Sequence, residues 1–386
     1  MTAPPGIDAL LATKEMVLVC GSGGVGKTTT AAALGLQAAT ELGGRVLVLT
    51  VDPARRLADA LGLGAAGVGN AEVRVPNNRL PTKPRGELWM AMLDTKASWD
   101  ELVTRHAPDD ATRTAILANP LYRNITSRFV HSHDYIAMER LHELHASGRY
   151  DLVIVDTPPS RHALDILDAP GRMREFFGSR LLRWLTVPYR SRLFTAASKP
   201  FYQVADRILG SNFLRDVADF FVLFQQMEQG FVKRARETEA MLEDPRTTFI
   251  VVTTLEAAPA TEAKYLVSEL ARRKLPLGAV VANRVLPESL RLIGARQSAS
   301  HMVEEAEELA TVLASSLKAD RDLVARVLTE VGSRFHDLGV VAARQAERQA
   351  ELAAICPLVV PVPWLDHDVD DLSTLASVGR SAWGRP

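Results

Sequence analysis

Gly21-Ser22-Gly23-Gly24-Val25-Gly26-Lys27-Thr28 decides the fold. This run fits the P-loop pattern G-x-x-x-x-G-K-[ST] without a mismatch. Glycines let the backbone close on a polyphosphate, and successive N–H groups at a helix N-terminus form an anion nest. Lys27 is placed to reach the β- and γ-phosphates, and the Thr28 hydroxyl to hold Mg²⁺. Both flanks agree. Met16–Cys20 is an apolar run of strand length, and Thr29 to Leu42 is alanine-rich and reads as a helix. Strand, glycine loop and helix in that order predict an α/β fold: a doubly wound, mostly parallel sheet flanked by helices, with the ligand at the C-terminal edge of the strands.

Working outward, Arg45 to Val51 is a second continuous apolar strand, of the kind buried on both faces in a parallel sheet. It delivers Asp52 to the same edge as the P-loop. A carboxylate there could orient or deprotonate an attacking water, or hold the metal; in isolation it would read as a helix N-cap. Tyr150 to Val155 is a third buried strand and ends in Asp156-Thr157-Pro158-Pro159-Ser160. An acidic residue closing an apolar run downstream of a P-loop is the Walker B arrangement, with Asp156 as a Mg²⁺ holder. Thr157 to His162 then forms a loop that senses the γ-phosphate.

Further along, Glu87 to Asp94, Thr247 to Thr254, Leu277 to Ala282 and Leu358 to Val362 read as strands. Asn283 follows the third of these, where a side-chain amide could pair with a base. Pro287 to Ser300 reads as a loop. Glu304 to Ala354 reads as long helices broken near Gly332 and Gly339. The acidic run Asp366, Asp368, Asp370 and Asp371 reads as a cap for the last helix. Residues 1–95, 149–170 and 245–386 make the P-loop core, and 96–148 with 171–244 an inserted helical subdomain. That subdomain holds two features of its own. His131, His133, His142 and His145 cluster in its first part without a clear ligand set, and read as helix surface. Its second part, Gly171 to Met241, carries nine of the twelve phenylalanines. Phe176, Phe177, Leu181, Trp184 and Leu185 form one apolar helical face, and Phe220, Phe221, Phe224, Met227 and Phe231 another. Either they bury a core of their own, or they present a surface to a hydrophobic client or a membrane-associated partner. Between Gly171 and Arg215, nine Lys/Arg face two Asp/Glu, which would also suit an anionic membrane surface.

Composition narrows the classes. With 45 Lys/Arg against 46 Asp/Glu, nothing argues for general nucleic-acid binding. Two cysteines, Cys20 and Cys356, far apart in 386 residues, argue against a disulfide scaffold or a zinc site of cysteine pairs. No apolar run reaches the length of a membrane span, and the N-terminus lacks the basic region of a secretory signal. The expected setting is cytoplasmic, with peripheral membrane contact left open.

In this order, the P-loop, Asp52-Pro-Ala, Asp156-Thr-Pro-Pro-Ser-Arg-His-Ala-Leu-Asp, Asn283-Arg and Pro361-x-Pro363 resemble the ArsA family of P-loop ATPases, over nearly the whole chain. The resemblance implies ATP hydrolysis with Mg²⁺. It makes Asp52 the water-positioning aspartate, Asp156 the switch aspartate, and Asn283 with Pro361–Pro363 the contacts to adenine. Residues Gly21 to Thr29 would cradle the phosphates. Family members work as face-to-face dimers or as two fused halves, so a single P-loop implies a second subunit. The aromatic helical region falls where the family keeps its client-binding helices. Three departures stand out. The family's P-loop carries a lysine at the position of Ser22, which reaches across the dimer. The cysteine pair that bridges some family dimers through zinc is absent, and so is the arsenite-binding cysteine cluster. The resemblance therefore implies either a homodimer or a heterodimer with a lysine-bearing paralogue.

Overall fold

The computed structural model describes residues 6–51, 70–128, 130–158, 168–169, 171–172, 175, 211–369 and 371–384. Asp52, the loop from Pro159 to His162, and the apolar face from Phe176 to Leu185 lie outside the described residues, as do the side chains of His131 and His133.

Eight strands form one sheet: β1 (Met16–Cys20), β2 (Arg45–Thr50), β3 (Val73–Arg74), β4 (Glu87–Met92), β5 (Leu152–Asp156), β6 (Thr247–Thr254), β7 (Leu277–Val285) and β8 (Val359–Pro363). Their order is β3-β4-β2-β5-β1-β6-β7-β8. Every pairing is parallel except β3 on β4. The chain moves out from β1 to β2, returns to β5 beside β1, and only then builds the other half from β6. β1 is therefore the switch point, and its C-terminal end opens into the crevice where doubly wound sheets bind ligands. Parallel strands with helices on both faces need apolar residues at every position, and β1, β5 and β6 are buried throughout.

Two apolar layers cover the sheet. On one face Val17, Val19, Val46 and Val48 pack against α1 (Ile7–Leu11), α2 (Lys27–Glu41) and the C-terminal helix Leu372–Ala382. That last helix begins with a capping box in which Asp371 accepts from the Thr374 backbone, as the acidic run foretold. On the other face Met16, Leu18, Leu47 and Leu49 join the helices α3 (Thr95–His106), α4 (Asp110–Ala118), α5 (Pro120–Arg128), α6 (Val130–Ala146), α7 (Ser211–Gln225), α8 (Glu228–Glu243) and α9 (Ala257–Arg272) in one continuous cluster. Phe220, Phe224, Met227 and Phe231 belong to it and are 5% exposed or less. Phe231 lies against Tyr135, Phe224 and Trp99, with ring centroids 5.5, 4.9 and 6.4 Å away. The second aromatic face is thus core, and Phe221 alone of its rings is partly exposed. Beside this core, His142 and His145 face the carboxylates of Glu237 and Glu15, at 3.6 and 3.1 Å.

The segment after β7 departs from expectation. Pro287 to Ser300 is not a loop but a 3₁₀ turn, Glu288–Arg291, followed by α10, Ile293–Glu304. Helix α11 (Ala306–Leu317) follows, and α12 runs unbroken for 33 residues, Arg321–Ala353, straight through Gly332 and Gly339. Those glycines allow close approach and do not end the helix. A Cβ at Gly332 would press on the Ala299 carbonyl and on Val303, and one at Gly339 on the Leu290 carbonyl. Ala299 is buried at the same seam, and Ala310, Val324 and Ala325 form a small apolar cluster between α11 and α12. Large apolar residues of this arm point outward, among them Ile293, Val312, Leu317, Val327 and Val331. Among the described residues no helix is long and apolar enough to cross a membrane.

Candidate active site

The site is assembled at the C-terminal ends of β1, β2 and β5 by register. Parallel pairing sets Asp156 opposite Val19 on one side and opposite Thr50 on the other. The last residues of all three strands therefore meet at one edge. Asp156 is fully buried and accepts hydrogen bonds from the hydroxyls of Thr28, at 2.7 Å, and Thr50, at 3.1 Å. Thr157 continues inward, its hydroxyl donating to the Val19 carbonyl at 2.9 Å. Asp156 and the P-loop threonine, 128 residues apart in sequence, are locked together by a single hydrogen bond.

The P-loop itself needs its glycines. Gly21 and Gly26 have φ of +151° and +95°, values that L side chains rarely adopt. A Cβ on Gly21 would run into the Val252 carbonyl oxygen, and one on Gly26 into the Asn283 amide. Gly23 and Gly24 form the exposed crest, while Ser22 and Val25 are buried. Helix α2 starts at Lys27 with no side-chain cap and no acidic residue of its own in its first turn, so no carboxylate from within the helix competes for its N–H groups at the loop. Lys27 is 8% exposed and folds back to donate to the Ser22 carbonyl at 3.0 Å. Ser22 Oγ is buried without a hydrogen-bond partner among the described residues. Beneath the loop, burial pushes the Cys20 thiol up to about 11, with Thr157 and Lys27 pulling the other way, so this cysteine stays protonated and inert at neutral pH.

Beside the P-loop a cleft of about 660 Å³ opens between α2, β7 and the end of β8. Gly26, Thr29, Asn283 and Pro363 line it, as do Trp364 and His367. Pairing of β7 with β8 sets Ala282 opposite Pro361 and Val285 opposite Pro363. Pro361 is held on the strand and is not among the residues that line the cleft. Asn283 sits inside β7, not beyond its end, and its amide is engaged: Nδ2 donates to the Val25 carbonyl at 2.8 Å and Oδ1 accepts from the Arg284 backbone at 3.0 Å.

The structure therefore sets Asp156 beneath the P-loop and Asn283 against it, with Gly26, Thr29, Asn283 and Pro363 lining the adjoining cleft, while Asp52, one residue beyond Val51, lies outside the described residues. Two contributors escaped sequence reasoning. Thr50 had a signal, a hydroxyl closing an apolar strand, but its use depends on the register with Asp156. Trp364, directly after Pro363, had none that separates a cleft residue from an exposed one.

Known proteins place the chain in a family. The family model described as anion-transporting ATPase matches residues 14–349. The chain belongs to this ArsA-type ATPase family. One similar curated protein is "ATPase GET3" of Malassezia globosa, 26% identical over 73% of this chain and 77% of that protein. Another is "ATPase ASNA1 homolog" of Entamoeba dispar, 26% identical over 71% and 77%. A third is "Putative arsenical pump-driving ATPase 2" of Aquifex aeolicus, 25% identical over 70% and 79%. The matched range runs from just before β1 into α12, so it takes in the P-loop, Asp156 and Asn283. As a family member the ArsA-type chain is an ATPase on a mostly parallel P-loop sheet.

Proposed function

We propose that this ArsA-type ATPase is one half of a dimeric switch that couples ATP hydrolysis to binding of a hydrophobic client or membrane-associated partner, in the cytoplasm or at a membrane surface. The observation that carries the reading is the clasp of Thr28 on buried Asp156 beneath the P-loop. Its oxygen donors are of the hard type that suits Mg²⁺, so Thr28 and Asp156, directly or through a water, would hold the ion. The ion, when bound, neutralises charge on the phosphates. The chain's own groups do the rest. The loop N–H groups and Lys27 hold the phosphates, and Thr50 keeps the Asp156 carboxylate aimed at the Thr28 hydroxyl. Asp52 orients the attacking water. Asp156 and Thr157 sit on the same strand end that leads into the switch loop, so a change at the γ-phosphate reaches that loop directly.

For the client, support comes from the outward apolar residues of α10–α12, since the Phe220 to Phe231 rings are occupied in the core. For the second subunit, support comes from Ser22. Its short buried side chain projects no cation, and a cation supplied in trans is worth about 10³–10⁵ in rate. A paralogue carrying lysine at this position would supply it. The second reading, a nucleotide-binding scaffold subunit with little catalysis, rests on the same missing charge.

One assay separates them: phosphate release by the purified chain, by Ser22→Lys and by Asp52→Asn, with oligomeric mass measured alongside. The switch reading expects slow turnover, a rise of at least about tenfold with Ser22→Lys, and loss of turnover with nucleotide binding retained in Asp52→Asn. Full turnover unaffected by lysine removes the need for a paralogue. Indifference to Asp52→Asn supports the scaffold.

A further inference from the structure

Trp364 is out of place by the ordinary rules of burial. Its indole is 56% exposed although it sits on a strand-end scaffold in the wall of the cleft. Its backbone is not loose: the Trp364 N–H donates to the Val285 carbonyl at 2.9 Å, extending the β7–β8 pairing by one residue and fixing where the ring begins. The same cleft is bounded by Gly26 and Thr29, the residues at which the phosphate-binding loop turns into α2. A polyphosphate held by the loop would therefore lead its sugar and base into this cleft, whose roughly 660 Å³ suits a nucleoside.

The neighbouring polar groups are partly engaged and offer hydrogen-bonding edges, not a broad π-face. Asn283 spends one N–H on Val25 and its oxygen on Arg284, which makes it a clasp between β7 and the P-loop. His367 is turned to the Asp366 carboxylate at 2.6 Å. Among the described lining residues Trp364 is the only large aromatic ring.

We propose that Trp364 is the stacking platform for the nucleobase, supplying affinity through the π-face of the ring without selecting one base over another. The inference rests on the nucleotide reading of the site and adds a residue to it. Base–aromatic stacking tolerates any base because every base has a π-face, and its removal typically costs about tenfold or more in affinity.

The test is calorimetric titration of the full chain with ATP, GTP and inorganic tripolyphosphate, for wild type, Trp364→Ala and Trp364→Phe. Trp364→Ala is expected to weaken ATP and GTP about tenfold and leave tripolyphosphate unchanged, while Trp364→Phe stays near wild type. Tryptophan fluorescence reports independently: quenching by ATP in wild type should vanish in Trp364→Ala. The ring is exposed, so melting of the alanine variant should match wild type. ATP affinity unchanged by Trp364→Ala, or an equal loss for tripolyphosphate, overturns the stacking role alone. Failure of wild type to bind either ATP or tripolyphosphate overturns the nucleotide site, and the stacking role with it.

Discussion

With Lys27 replaced by alanine, ATP turnover is expected to fall by about 10³-fold or more, with the fold intact. The side chain is nearly buried and its ammonium is held against the Ser22 carbonyl, at the mouth of the glycine loop. Arg284 is a cation of the neighbouring cleft and not of the loop, so it is poorly placed to replace that charge on the phosphates. Lys27→Arg should rescue little. A planar guanidinium fork does not fit a space shaped for a compact ammonium on a straight stem. Phosphate release and a thermal melt read the two effects separately. Retention of more than about a tenth of wild-type turnover in Lys27→Ala would place the phosphates elsewhere, because a uniform loss of binding alone cannot mimic loss of a charge that acts in the transition state.

Phe231→Ala is expected to cost about 3–5 kcal/mol of stability. Phe231 is fully buried, touches Trp99, Tyr135 and Phe224, and lies beneath the Arg234 guanidinium at 5.2 Å. Arg234 in turn pairs with Glu139, which accepts from the Tyr135 hydroxyl. Truncation opens a cavity among rings that hold each other in tilted geometry, and rigid neighbours collapse poorly into such a space. The cluster is continuous with the sheet, so the loss should appear as one cooperative shift of the guanidinium unfolding curve, not as melting of a separate helical unit. A loss below about 1 kcal/mol, or an early helical transition with the sheet unaffected, would mean that these helices fold apart from the sheet.

That second expectation shows where sequence reading stops. Phe220, Phe224 and Phe231 recur at helical spacing, and such a stripe serves equally as a core or as a client surface. Deciding between them needs to know what lies opposite, and Trp99 and Tyr135 arrive there from about a hundred residues upstream. The same limit applies to Gly332 and Gly339. In sequence they look like breaks; in the fold they mark where α10 and the 3₁₀ turn press on α12. A helix interrupter and a close-packing residue are the same residue, and only the neighbour's distance tells them apart.

By itself the sequence determined the α/β class, six of the eight strands to within about two residues at each end, the last helix's cap and the phosphate loop. These depend on short-range physics: unbroken apolar runs buried on both faces, glycines where φ must be positive, and a carboxylate placed to cap a helix. Tertiary structure alone decided the order of the strands, the Thr28 and Thr50 hydroxyls meeting on Asp156, Asn283 spending its amide on the P-loop, and Trp364 facing the cleft. Each is a contact between segments far apart in the chain. Its existence follows from register and crossover, which no local pattern encodes.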